Sequence, residues 1–91
     1  MNQDDVKFRF ELIEVTKIER GYLISVEVQI RWLKEIVYLG VVDVEMNDIG
    51  IFPSPAHLAA ASPYKGIRGK LGAEMKRYIK IQKKFIPELA E

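Results

Sequence analysis

Cysteine is absent from this 91-residue chain, and histidine and tryptophan occur once each. Without cysteine there are no disulfide staples, thiolate metal sites or cysteine nucleophiles, a composition that fits a reducing compartment. The one histidine, His57, sits between Ala56 and Leu58. A general base needs a nucleophile and an orienting partner within hydrogen-bond reach, and Ser54 and Ser62 form no recognisable nucleophile motif around it. A local structural role for His57 is therefore expected, and no enzyme. No stretch approaches the roughly 20 consecutive apolar residues of a spanning helix. The opening MNQDDVKFRF is acidic and carries no apolar signal segment, so a cytoplasmic protein with no membrane partner is expected. Asp43, Glu45 and Asp48 lack the spacing of an EF-hand and read as a strand edge and a turn, so no metal is assigned. No cofactor motif or small-molecule substrate site is evident, and there is no internal repeat.

What is present is a core-forming apolar fraction of 48% and a charge pattern hidden by the net value of +1. Residues 1–50 hold six Lys/Arg against ten Asp/Glu, or −4, whereas residues 51–91 hold eight against three, or +5. A chain of this length makes one domain with a modest core. Polarised charge points to a binding face in the second half.

The first half predicts strands. From Val6 to Val15 apolar residues alternate through Phe8, Phe10 and Leu12, then slip in phase at Ile13, which predicts a bulge near Leu12–Ile13. Glu19-Arg20-Gly21 supplies a turn in which Gly21 is free to take positive φ. Tyr22, Ile24, Val26, Val28, Ile30 and Trp32 occupy every second position of a half-buried antiparallel strand. The β-prone run from about Glu35 to Glu45 predicts a third strand. Its near-continuous apolar character implies cover on both faces, a helix on one and another subunit on the other. Asn47–Gly50 reads as a turn and Ile51–Phe52 as a short last strand.

Ser54 followed by Pro55 is a helix-start signal for one or two turns over His57–Ala61, stopped at Ser62-Pro63. Tyr64–Gly72 reads as a basic, glycine-punctuated connector. The final helix is expected from Ile67 or Gly69 to Phe85, ended by Pro87, with Ile67, Leu71, Met75, Tyr78, Ile79, Phe85 and Ile86 on one side. The expected fold is thus α+β in one domain, 1–91. A three- to four-stranded antiparallel sheet (6–53) precedes a short helix and a long amphipathic C-terminal helix (54–86).

Two features could carry binding chemistry. Lys65, Arg68 and Lys70 surround Gly66, Gly69 and Gly72, a spacing that lets backbone N–H groups approach a phosphate at a helix start. On spacing alone a flexible connector explains these glycines better, and the segment lacks the Gly-Lys-Ser/Thr ending of a P-loop. Between Lys70 and Lys84 lie six Lys/Arg against one acid, Glu74, a face that could neutralise several phosphates or simply be solvated. Trp32 and Tyr38 could stack a base, with sheet packing or a dimer seam the simpler assignment.

The order of these segments resembles the SpoVG family (stage V sporulation protein G). The likeness rests on Phe10–Val15, Gly21–Ile30 and Val37–Gly50, then on Ile51-Phe52-Pro53-Ser54 and Arg68-Gly69-Lys70-Leu71, with Tyr78 following in the long helix. Where that family has a longer polar insertion, this chain has Pro55-Ala56-His57-Leu58 and an alanine run. The resemblance implies a homodimeric regulator that binds DNA, with RNA second, without a cofactor, and it transfers a role only to Arg68, Gly69 and Lys70. Lys65, Arg77, Lys80 and Lys84 join them on electrostatic grounds, and Trp32 and Tyr38 are the candidate dimer seam. The alternative is a protein-interaction or assembly module that associates through its sheet face or edge.

Overall fold

A computed structural model describes residues 5–85. It contains a four-stranded antiparallel sheet in the order β1-β2-β3-β4, followed by two helices. The strands are β1 (Val6–Ile18), β2 (Gly21–Trp32), β3 (Glu35–Asn47) and β4 (Ile51–Pro53), and the helices α1 (Pro55–Ala61) and α2 (Lys65–Gln82). This is the α+β class and element order that the patterning predicts.

Alternation assigns the two sheet faces. The inner rows run Phe8–Ile30–Tyr38, Phe10–Val28–Gly40, Leu12–Val26–Val42 and Val15–Ile24–Val44–Pro53. The β1–β2 register shifts between Leu12 and Glu14, leaving Ile13 as the extra residue. This is the expected bulge, and it keeps Leu12 and Val15 on one face. A second shift, between Ile30 and Arg31, places the extra residue at Val37, so that Ile36 faces outward and Tyr38 inward. The Tyr38 ring lies where a Cβ on residue 40 would stand, which explains glycine there.

Gly21 does not use that freedom, since no glycine among the described residues has positive φ. A Cβ at Gly21 would strike the carbonyl oxygen of Met46 on β3, so close strand approach rather than turn conformation excludes a side chain. Positive φ occurs instead at Leu33 (58°), in the β2–β3 turn.

The helices cover the inner face only. Ser54 Oγ accepts the His57 backbone N–H (3.3 Å), and Pro55 opens α1, as its start signal predicts. Ile67, Leu71, Met75 and Ile79 of α2 are fully buried against Ile24, Val26, Val28, Ile30, Val42 and Val44. Burying each of those helix side chains contributes about 2 kcal/mol before conformational entropy is subtracted. Tyr78 extends the contact to β1, its ring 5.3 Å from that of Phe10. Burial pushes the Tyr78 phenol above its ordinary range, opposed by hydrogen bonding to the Leu12 backbone and reinforced by the nearby Glu11 charge.

Tyr64–Gly72 is not a connector. The helix begins at Lys65, so Gly66, Gly69 and Gly72 are all helical. A Cβ added at buried Gly72 would stand 3.5 Å from a Leu58 methyl, and contact between the helices fixes the start earlier than glycine content suggests. Phe85 lies in the turn that follows α2 rather than within it. The expected stop at Pro87 and the apolar Ile86 lie outside the described residues. Among those described, no helix is long and apolar enough to cross a membrane.

Candidate nucleic-acid interface

With its apolar stripe buried, α2 turns a basic arc outward. Lys65, Lys76, Arg77 and Lys80 are exposed on the helix, Lys84 is exposed just beyond it, and half-buried Glu74 is the helix's one acid. The arc also carries Gly69 and Ala73, both exposed. A Cβ added to Gly69 would meet no atom within 4 Å, so packing within the monomer gives no reason for glycine at this helical position. The first turn holds no acidic residue, and the N-cap, Tyr64, makes no side-chain cap bond. Lys65 therefore adds to the positive end of the helix dipole, with no nearby acid in that turn to balance it.

Arg68 and Lys70 do not converge. Two residues apart on a helix, they point about 200° away from each other. Arg68 is half-buried and its Nη1 donates to the Ser62 carbonyl at 3.1 Å, tying the end of α1 to the start of α2. Buried Ser62 is fully engaged, because its N–H donates to the Leu58 carbonyl and its Oγ accepts from the Tyr64 N–H. Lys70 leans to the opposite flank, its Nζ 5.9 Å from the Phe8 ring centroid. Of the candidate residues, Lys65, Gly69, Arg77 and Lys80 share the open arc. Arg68 and Lys70 flank it, and Arg68 doubles as a helix–helix tie.

The arc itself forms one wall of an open groove of about 1180 Å³ between α2 and the β4–α1 side. Arg68, Lys76, Arg77 and Lys80 line its helix wall, and Asp43 and Glu45 its strand wall. Those carboxylates repel phosphate from the strand side, so a polyanion is favoured on the helix side, where Lys76, Arg77 and Lys80 are exposed.

His57 has a structural position. Its Nδ1 accepts the Asp43 backbone N–H at 3.0 Å, while the Ser54 N–H donates to the Asp43 carbonyl at 2.8 Å. Together they satisfy both backbone groups of Asp43, just beyond the end of the β3–β4 pairing. The Asp43 carboxylate accepts from Ser25 Oγ at 3.0 Å, and Asn47 Oδ1 caps the turn through Ile49 and Gly50.

Trp32 and Tyr38 both pack at the margin of the core on the helix-covered face. Exposed apolar residues of the sheet lie on the other face, at Leu23, Ile36, Leu39, Val41 and Phe52, and at the two bulges, Ile13 and Val37. Period-two reading of β3 could have found Leu39 and Val41 as the partners opposite Val42 and Val44. The bulge at Val37 hid the rest of the pattern.

In class, the chain is an α+β fold with an antiparallel sheet covered on one face by a basic amphipathic helix. Comparison with family models, curated proteins and solved structures finds no match to it.

Proposed function

We propose that this is a non-enzymatic, cytoplasmic nucleic-acid-binding regulator that holds DNA, and RNA second, on the outer arc of α2. The observation that carries the reading is that Lys65, Lys76, Arg77 and Lys80 are all exposed on the side opposite a fully buried stripe. Such a surface attracts phosphate through cations that the fold itself does not use, and binding to it releases counterions. Lys84 lengthens the arc, and the bare backbone at Gly69 allows a phosphate to approach closely. Lys70 adds charge from one flank. Arg68 contributes to the field from its post at Ser62, so its loss is expected to cost stability as well as binding. The resemblance to the SpoVG family agrees with this reading through Arg68, Gly69 and Lys70.

The test is fluorescence anisotropy with labelled duplex DNA, single-stranded DNA and RNA at two salt concentrations. On duplex DNA the log affinity should fall by roughly 0.9 per decade of salt for each phosphate neutralised. Lys76→Ala/Lys80→Ala should weaken binding and flatten that slope by about two phosphates' worth while the thermal midpoint holds. No binding to any of the three at low salt would end the nucleic-acid reading.

A further inference from the structure

The face of the sheet away from the helices is apolar where it should be polar, and its charges are segregated. Leu39 is 59% exposed, Ile36 55% and Val41 47%, a column along β3 with no helix over it. Across the strands, Arg9 stands beside Gln29 and Leu39, and in the next outward row Glu11 stands beside Glu27 and Val41. Lys7 and Arg31 continue the basic end, and Ser25 paired with Asp43 and Leu23 paired with Glu45 continue the acidic end.

Two features of this face are unfavourable in a lone protomer. Glu11 and Glu27 are direct cross-strand neighbours of like charge, a pairing that destabilises a sheet. Gln29 Oε1 is buried without a hydrogen-bond partner.

We propose that a second copy of this chain packs on this face, related by a two-fold axis that lies in the plane of the face and perpendicular to the strands. The axis passes between the Arg9 and Glu11 rows. Rotation by 180° then lays β3 antiparallel over the partner's β3, with Leu39 against the second copy of Val41. Arg9 meets the second copy of Glu11, and Arg9's positive charge relieves the Glu11–Glu27 repulsion. The same patch thus complements itself, as an isologous interface requires. The longest dimension of the molecule is 39 Å. The three long strands at about 4.8 Å spacing therefore offer roughly 560 Å² per protomer, somewhat below the standard specific interface, which suits a dimer of moderate affinity. Trp32 and Tyr38, on the opposite face, are not the seam in this arrangement. The product is a four-layer helix–sheet–sheet–helix assembly with its two basic arcs on opposite outer sides. The inference stands apart from the nucleic-acid reading, because the seam uses none of the α2 residues.

Sedimentation velocity of the full chain over a concentration series reads the association directly, and circular dichroism confirms folding of each variant. The wild type should pass from monomer to dimer. Leu39→Glu should raise the dissociation constant at least about tenfold with an unchanged thermal midpoint at monomer concentrations, because the side chain is exposed in the monomer. The decisive measurement is charge exchange. Arg9→Glu alone sets glutamate against glutamate across the axis, and Glu11→Arg alone sets arginine against arginine, so each should weaken its own dimer. Mixing the two variants restores both opposite-charge pairs, and a heterodimer tighter than either homodimer should form. That outcome supports the proposal independently of how Leu39→Glu behaves. A wild type that stays monomeric throughout, or a dimer indifferent to Leu39→Glu and to charge exchange, would overturn it. Loss of DNA binding rather than of self-association in Leu39→Glu would also overturn it, by making this face a ligand surface.

Discussion

Val41 and Val42 are adjacent, identical and β-branched, yet one is 47% exposed and the other completely buried. The same division splits α2, where Leu71 is sealed against the sheet while Gly69, two residues earlier, faces open space. Inner positions are explained by the monomer: large apolar side chains fill the layer between sheet and helices, and glycine occurs where the Tyr38 ring takes its space. Outer positions are constrained only by solubility and by contacts with other molecules. Residues there that break the usual rules, an apolar pair on an open face and a glycine within a helix, are the ones that carry information about partners.

The sharpest way to break this division is to truncate the inner layer. Leu71→Ala should cost about 3 kcal/mol, because it removes a fully buried side chain and leaves a cavity between α2 and the sheet. Urea denaturation would read it as a lower midpoint with an unchanged slope. A loss under 1 kcal/mol would mean that the helix does not seal the sheet. The next test sets the two valines side by side. Val42→Thr buries a hydroxyl in an apolar layer and should cost about 2 kcal/mol, whereas Val41→Thr, on the open face, should stay within about 0.5 kcal/mol at monomer concentrations. Equal losses at the two sites would contradict the assigned faces.

How much of this was legible depends on the period being read. The clean alternation of Tyr22–Trp32 yields β2 nearly to the residue, and the phase slip at Ile13 marks the bulge in β1, because each buried face imposes its own spacing. Ser54-Pro55 likewise marks α1 through a cap and a proline whose local chemistry needs no tertiary information. Three glycines in seven residues, by contrast, lower intrinsic helix propensity by roughly 1 kcal/mol apiece and read as a connector. Burial of Ile67 and Leu71, contact between the two helices, and the Arg68–Ser62 tie override that preference, and none of these is visible before the chain folds. The same tie separates Arg68 from Lys70, adjacent in the motif and opposed in space. The shared basic arc of Lys65, Arg77 and Lys80 follows from helical period alone once the helix is granted.

Gly69 gives the smallest effect and the finest discrimination. On an exposed helical position alanine is favoured over glycine by about 1 kcal/mol, since glycine loses more backbone freedom on folding. A Cβ there meets nothing within 4 Å, so Gly69→Ala should raise stability by up to that amount, without strain to offset it. Thermal unfolding in the absence of nucleic acid checks the gain, and a loss would mean that some contact already occupies the space. The same variant then bears on what the outer arc is for. If phosphate lies against the backbone at Gly69, a methyl group holds it off, and the stabilised protein should bind duplex DNA more weakly with the salt slope nearly kept. If the lysines act at longer range, affinity should not change and the stability gain should stand alone. A single methyl group, invisible to the folded monomer, therefore separates a surface that touches its ligand at the backbone from one that attracts it by charge alone.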